Sequence, residues 1–255
     1  MTTRSAASPR AGLCSVTFRQ LRPEEVIAHA ATAGLDSIEW GTDVHVPPGD
    51  LDRARRIGDL TREAGLVVAS LGSYFHCTAE DDIDEVLETA AAIGAPRIRV
   101  WAGRVGSDAV SPAERAETTA ILRESALRAE DYGIELALEF HGWTLTDTGA
   151  SARRLLEETG SDNVSAYWQP TKGLADALAI GELEAIAPWV SAVHVFSWWP
   201  GSEPLPLTGR SELWQRALGI ARTLPRVTDA LLEFVPDDDP AVLPREAETL
   251  RRWLA

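Results

Sequence analysis

Three short apolar runs in this chain end in side chains that bind metals or move protons. They are ELALEFH at 135–141, VSAVHVFS at 190–197 and ALLEFV at 230–235. Each has strand character and carries its polar group near the C-terminal end: Glu139 and His141, then His194, then Glu233. A carboxylate in a buried strand is costly unless it is paired, hydrogen-bonded or bound to a metal. One such residue is explained by a satisfied structural polar group. Three of them, each behind a helical stretch, imply strand ends converging on one site. The chemistry these residue types share is proton transfer and the ligation of a hard cation.

Holding them together requires a regular scaffold. Strand-like segments recur at 13–18, 37–40, 67–73, 97–102, 135–140, 164–169, 190–196 and 230–235. Helical patterns fill the intervals at 23–33, 51–64, 83–93, 112–131, 150–158, 174–186 and 212–224, and a last one at 240–254 closes the chain. Pro23 followed by two glutamates, and Ser111-Pro112 followed by Glu114, are helix-start signals. Gly34, Gly65, Gly94 and Gly133 stand where a helix ends and a left-handed residue is needed. Eight such units in 255 residues predict an α/β fold, a single (β/α)8 TIM barrel over 11–255 behind a disordered tail at 1–10. The rival, a doubly wound sheet, calls for a G-x-G-x-x-G turn that this chain lacks.

In such a barrel the active residues sit at the C-terminal strand ends. Those ends carry Glu39, Trp40 and His45; Tyr74 and His76; Trp101 and Arg104; Glu139, His141 and Trp143; Trp168, Gln169 and Lys172; His194, Ser197, Trp198 and Trp199; and Glu233. Six of the nine tryptophans and four of the five histidines fall in this set, too many for scattered placement. Expected substrate contacts are therefore Glu39, Trp40, His45, His76, Trp101, Arg104, His141, Trp168, Lys172 and Trp198, with indole faces suited to the C–H faces of a sugar or to a flat ring. Lys172 is the only lysine; near the barrel mouth its readings are a partner for a substrate carboxylate or phosphate, a Schiff-base amine or a solvated loop residue. The loop 197–209, rich in Pro, Gly and Trp, is expected to form a semi-rigid flap.

Composition narrows the partners to small molecules. A net charge of −15 repels nucleic acid, and no run is long and apolar enough for a membrane span. Two cysteines, Cys14 and Cys77, with no C-x-x-C pair and no signal-peptide pattern, set a reduced, cytoplasmic expectation. A homo-oligomer is left open.

With these residues in order, the sequence resembles the xylose-isomerase-like TIM barrels, the sugar phosphate isomerase/epimerase superfamily. The resemblance rests on Glu139 in ALEFH, Gln169 in YWQP, His194 in AVHVFS and Glu233 in LLEF, together with IEWGTDVH at 38–45. It implies one divalent metal ion, Mn2+ or Mg2+, held by Glu139, Gln169, His194 and Glu233. It implies an isomerase or epimerase acting on a sugar or sugar-like hydroxy-ketone through an enediolate, with Glu139 and Glu233 as proton-transfer groups. The chain departs from the pattern at Gln169, where the family has Asp, and at Lys172, where it often has His. Trp198-Trp199-Pro200 offers no counterpart to an Arg often found after strand seven. A lyase or dehydratase on the same scaffold and a non-catalytic sugar-binding barrel are the alternatives. An apurinic endonuclease, which needs more metal ligands, fits neither five histidines nor the charge.

Overall fold

In the computed structural model, which describes residues 8–255, eight parallel strands close into a barrel. They are β1 (Arg10–Cys14), β2 (Ser37–Gly41), β3 (Val67–Gly72), β4 (Arg97–Val100), β5 (Glu135–Glu139), β6 (Val164–Trp168), β7 (Val190–Val195) and β10 (Asp229–Leu232). Each pairs with its neighbours in sequence order, and β1 meets β10 to close the ring. Helices α1 (Pro23–Thr32), α2 (Leu51–Glu63), α3 (Ile83–Ile93), α4 (Pro112–Asp131), α5 (Gly149–Thr159), α6 (Asp176–Ile186), α7 (Ser211–Ala221) and α8 (Leu243–Leu254) alternate with the strands. Of the tail expected at 1–10, Arg10 already belongs to β1, and residues 1–7 lie outside the described residues.

The helix boundaries follow local chemistry. Ser111 accepts from Glu114 N while the Glu114 carboxylate accepts from Ser111 N, a capping box ahead of Pro112. Asp50, Asp82 and Thr148 cap α2, α3 and α5 in similar ways. Gly34, Gly65, Gly94 and Gly133 all have positive φ, which lets the chain leave each helix and enter the next strand.

Side-chain alternation divides the barrel into two cores. Ile38, Trp40, Ile98, Val100, Val164 and Trp168 belong to the large apolar layer packed against the helices. Ala69, Ala137, Tyr167, Ala192 and Leu231 form a smaller cluster of their own. Below it, Asp229 accepts from Arg10 and from Ser37 Oγ at 2.8 Å, and Arg97 donates to Thr228 Oγ1 at 2.7 Å and to the Ser191 carbonyl at 3.1 Å. This ionic floor is buried and satisfied. It ties β1, β2, β4, β7 and β10 together and leaves the opposite, C-terminal end for chemistry.

The loop 197–209 is a tied ribbon. β8 (Ser197–Trp198) pairs antiparallel with β9 (Pro204–Leu205). Ser197 Oγ donates to the Leu207 carbonyl, and Leu207 N donates to Glu246 Oε2 of α8 at 2.6 Å. Cys14 and Cys77 are both buried free thiols. Among the described residues no helix is long and apolar enough to cross a membrane.

Candidate active site

The four residues expected at a metal meet at the C-terminal mouth. Glu139 ends β5, Gln169 follows β6, His194 lies in β7 and Glu233 follows β10. Gln169 Nε2 donates to Glu139 Oε1 at 3.2 Å, and Gln169 Oε1 lies 3.1 Å from His194 Nδ1. The same Nδ1 is 3.6 Å from Glu233 Oε2 and 3.9 Å from Glu139 Oε1. Two ligands at right angles on an ion with bonds of about 2.1 Å stand roughly 3 Å apart. Of these separations the Gln169 Oε1–His194 Nδ1 contact matches that figure, and the hard oxygen and imidazole donors suit a Mg2+ or Mn2+ ion. Among the described residues, the group whose ligand atoms all lie within 4.8 Å of one another is a deeper one, Cys14, Glu39 and His194; Glu139 and Glu233 each approach His194 but do not close on each other to that distance. Burial, reinforced by Glu39 and Glu233, pushes the Cys14 thiol well up, and a thiol is a soft donor better matched to zinc than to Mg2+ or Mn2+. The outer set, with oxygen and imidazole donors alone, has the chemistry that suits a hard cation.

The surroundings give each carboxyl a different character. Arg99 Nη1 and Trp101 Nε1 both donate to Glu139 Oε2 at 2.6 Å. Burial opposes charge on Glu139, but Arg99 and His194 outweigh it and hold the carboxyl low. Glu39 is equally buried, yet His194, Arg99 and a 2.6 Å bond from Ser70 bring it down to about 2. Glu233 goes the other way: burial and the charge of Glu139 push it up, with His194 and Arg99 only partly offsetting them. Burial lowers His194, and the surrounding Glu233, Glu39 and Glu139 more than reverse this, to about 9.

A cavity of about 210 Å3 opens above the cluster, lined by Glu139, Gln169, Glu233, Arg99, Tyr74, Trp101, His141, Trp198, Phe196 and Phe234, with Val16 and Arg19. Larger grooves of about 400, 460 and 510 Å3 lie elsewhere and touch none of the four convergent residues. Trp101 stacks on His141 with ring centres 4.3 Å apart, and Trp198 packs against Phe234 at 4.7 Å.

Several expected substrate contacts are elsewhere. Trp40 and Trp168 point away from the cavity because they alternate with Glu39 and Gln169. Trp40 Nε1 donates to Thr61 Oγ1 of α2, and Trp168 packs edge-on against Trp214 of α7. His45 is a buried structural histidine between Ser15 Oγ and the Leu21 carbonyl. Glu39 lies behind His194 and outside the cavity wall, its Oε1 3.2 Å from Nε2. His76 stands edge-on behind Trp101, and Arg104 pairs with Asp81 and lines an outer groove. Lys172 places its Nζ 5.7 Å from the Trp198 ring centre, outside the cavity wall.

Arg99 is the main cavity residue that the strand-end reading missed. It precedes the end of β4, and its signal was the alternation Arg97-Ile-Arg99-Val-Trp101, which points both arginines into the barrel. Gly72 makes its place possible: a Cβ there would stand 2.8 Å from Arg99 Nη2 and 3.0 Å from Glu39 Oε1.

A family model described as xylose isomerase-like TIM barrel matches residues 27–210. The chain belongs to that family. A 3-dehydroshikimate dehydratase from Bacillus anthracis is 23% identical over 199 residues, which cover 71% of this chain and 69% of that protein. A crystal structure of a probable 3-DHS dehydratase involved in petrobactin synthesis, from the same organism, superposes with a TM-score of 0.77 at 19% identity, covering 95% of this chain and 98% of that one. A 3-keto-D-glucoside 4-epimerase from E. coli gives 0.72 at 18% identity, covering 96% and 99%. At these identities the structural likenesses establish the fold.

Proposed function

We propose that this protein is an isomerase or epimerase that moves a proton at the carbon beside a carbonyl, in a sugar or sugar-like hydroxy-ketone. The observation that carries this reading is the state of Glu233. Its carboxyl lines the cavity and has no hydrogen-bond partner among the described residues, and its affinity for a proton is raised. A carboxylate so placed is free to take a proton from a bound substrate and strong enough as a base to hold it.

Glu139 has the complementary role. One of its oxygens is occupied by Arg99 and Trp101, which keeps it ionised and fixed. Return of the proton by Glu233 to the neighbouring carbon gives isomerisation; in epimerisation the ionised Glu139 takes the proton from one face of the carbon and a protonated Glu233 delivers its own to the other. Arg99, whose guanidinium lines the cavity, would put positive charge beside the oxygen that becomes negative when the carbon is deprotonated. Glu139, Gln169, His194 and Glu233 are the residues that would hold a divalent ion, Mn2+ or Mg2+, which when bound would polarise the carbonyl as a Lewis acid. Trp101, His141, Trp198 and Phe234 would flank the ring and exclude water.

A dehydratase is the second reading, favoured by the curated relative. It begins with the same proton removal and then expels a β-hydroxyl, which leaves as water with a proton supplied from the cavity wall, where Glu233 holds the one it has taken. One experiment separates them. The Mn2+-loaded protein is incubated in D2O with ketopentoses, ketohexoses and 3-dehydroshikimate and followed by NMR. Deuterium at the carbon beside the carbonyl, with the carbon skeleton and hydroxyl count unchanged, supports the isomerase. An unsaturated product supports the lyase. Exchange that survives Glu233→Gln at full rate would sink both.

A further inference from the structure

The cavity holds one ring, yet an aromatic path leads out of it. Ligand sites for larger molecules run to roughly 300–1,000 Å3, and this one is about 210 Å3. From its wall, Trp101 stacks on His141, and His141 in turn lies 6.4 Å from Trp143 with the rings tilted by 57°. Trp143 is 78% exposed, the most exposed large apolar side chain among the described residues. Its backbone has φ of 62°, a conformation that bulky residues rarely adopt.

Nothing about the loop is slack. Thr144 Oγ1 donates to the His141 carbonyl at 2.7 Å, and Thr146 Oγ1 donates to the Glu139 carbonyl at 2.5 Å. Leu145 N donates to the Ala102 carbonyl at 2.8 Å. The loop that carries an exposed indole is thus anchored to the strand end that carries a site carboxylate. A large apolar face kept in water on a pinned loop, beside the His141 ring of the cavity wall, is a stacking platform for a ligand ring.

We infer that Trp143 forms an outer subsite for a second ring, so that the natural substrate is a glycoside whose reacting ring, itself carrying the ketone, fills the cavity while its linked aryl or pyranose ring lies on the indole. This rests on the sugar reading given above and narrows the substrate class within it. Free monosaccharides would occupy the inner cavity without touching Trp143.

The test is a binding comparison on the full-length, Mn2+-loaded protein. The probes are methyl β-D-glucopyranoside, phenyl β-D-glucopyranoside and cellobiose, measured by calorimetry or saturation-transfer NMR. A two-ring probe is expected to bind about five- to ten-fold more tightly than the methyl glucoside, the size of one ring stack. Preference for the phenyl glucoside identifies an aryl group as the outer ring, and preference for cellobiose identifies a sugar. Trp143→Ala should abolish the preference while leaving the methyl glucoside affinity unchanged, and Trp143→Phe should keep most of it. No preference in the native protein, equal loss for one-ring and two-ring probes, or binding of none of them overturns the proposal. Failure of the isomerase reading shows differently: no deuterium exchange in any substrate, with the Trp143-dependent preference intact.

Discussion

Glu233 and Glu139 are the same residue type a few ångströms from the same imidazole, and their partners make them different acids. Glu139 has two donors on one oxygen; Glu233 has none. Glu233→Gln should therefore lower kcat by about 10²–10⁴ with the melting temperature kept or raised, since a buried carboxyl without partners is removed. Steady-state rates and a thermal melt on one preparation check both halves. Glu39 gives a pH prediction. Its folded value of about 2 lies below the ordinary 4.5, so the stability it contributes is full above pH 4.5 and is lost as pH falls toward 2. The amount is on the order of 3 kcal/mol. In metal-stripped protein, Glu39→Gln should flatten the fall of melting temperature across that acid window; an unchanged slope would mean that other carboxylates govern it. The sequence revealed Glu139, His194 and Glu233 because each interrupts an apolar run near its end. It hid Glu39's role because position alone does not say whether a carboxylate faces substrate or supports a neighbouring histidine.

At the scale of the element, the period of two decides what a strand end means. Trp40 and Trp168 stand beside Glu39 and Gln169 in sequence and on the opposite face of the sheet in space, so they pack under helices. The eight-unit alternation and the helix starts at Pro23 and Pro112 were legible because caps and glycines are local signals. The ionic floor was not, because Arg10, Ser37, Arg97 and Asp229 come from four distant strands and meet only when the barrel closes. Asp229 is the hub of that closure. Asp229→Ala would leave Arg10 and Arg97 without their shared carboxylate, at a cost of about 3–5 kcal/mol in unfolding free energy. Urea denaturation measures it, and substrate affinity of the folded fraction should be unchanged because the floor lies at the other end from the cavity. Gly72→Ala tests the site end. Its methyl group would press on Arg99 and Glu39 within the barrel, so activity should fall even where the fold survives.

The whole molecule carries a charge of −15, and its field gathers cations at many surface carboxylates. A melting shift on adding Mn2+ is therefore ambiguous at low salt. Surface association is screened beyond about 8–10 Å at physiological ionic strength, whereas an ion enclosed by four buried groups is screened far less. The informative measurement is the shift in 0.3 M NaCl, where specific occupancy at a hundred times Kd should add about 2.7 kcal/mol, or roughly 5–10 °C for a domain of this size. Glu139→Gln should abolish the shift. Gln169→Asp should lower Kd and enlarge the shift at a fixed subsaturating concentration, because it adds a negative charge beside a group that already touches Glu139 and His194. Suppose that the native protein shows no salt-resistant shift while Gln169→Asp gains one. The amide has then weakened the site too far for the ion to be the electrophile, and Arg99, already on the cavity wall and against Glu139, becomes the group that meets the developing negative charge.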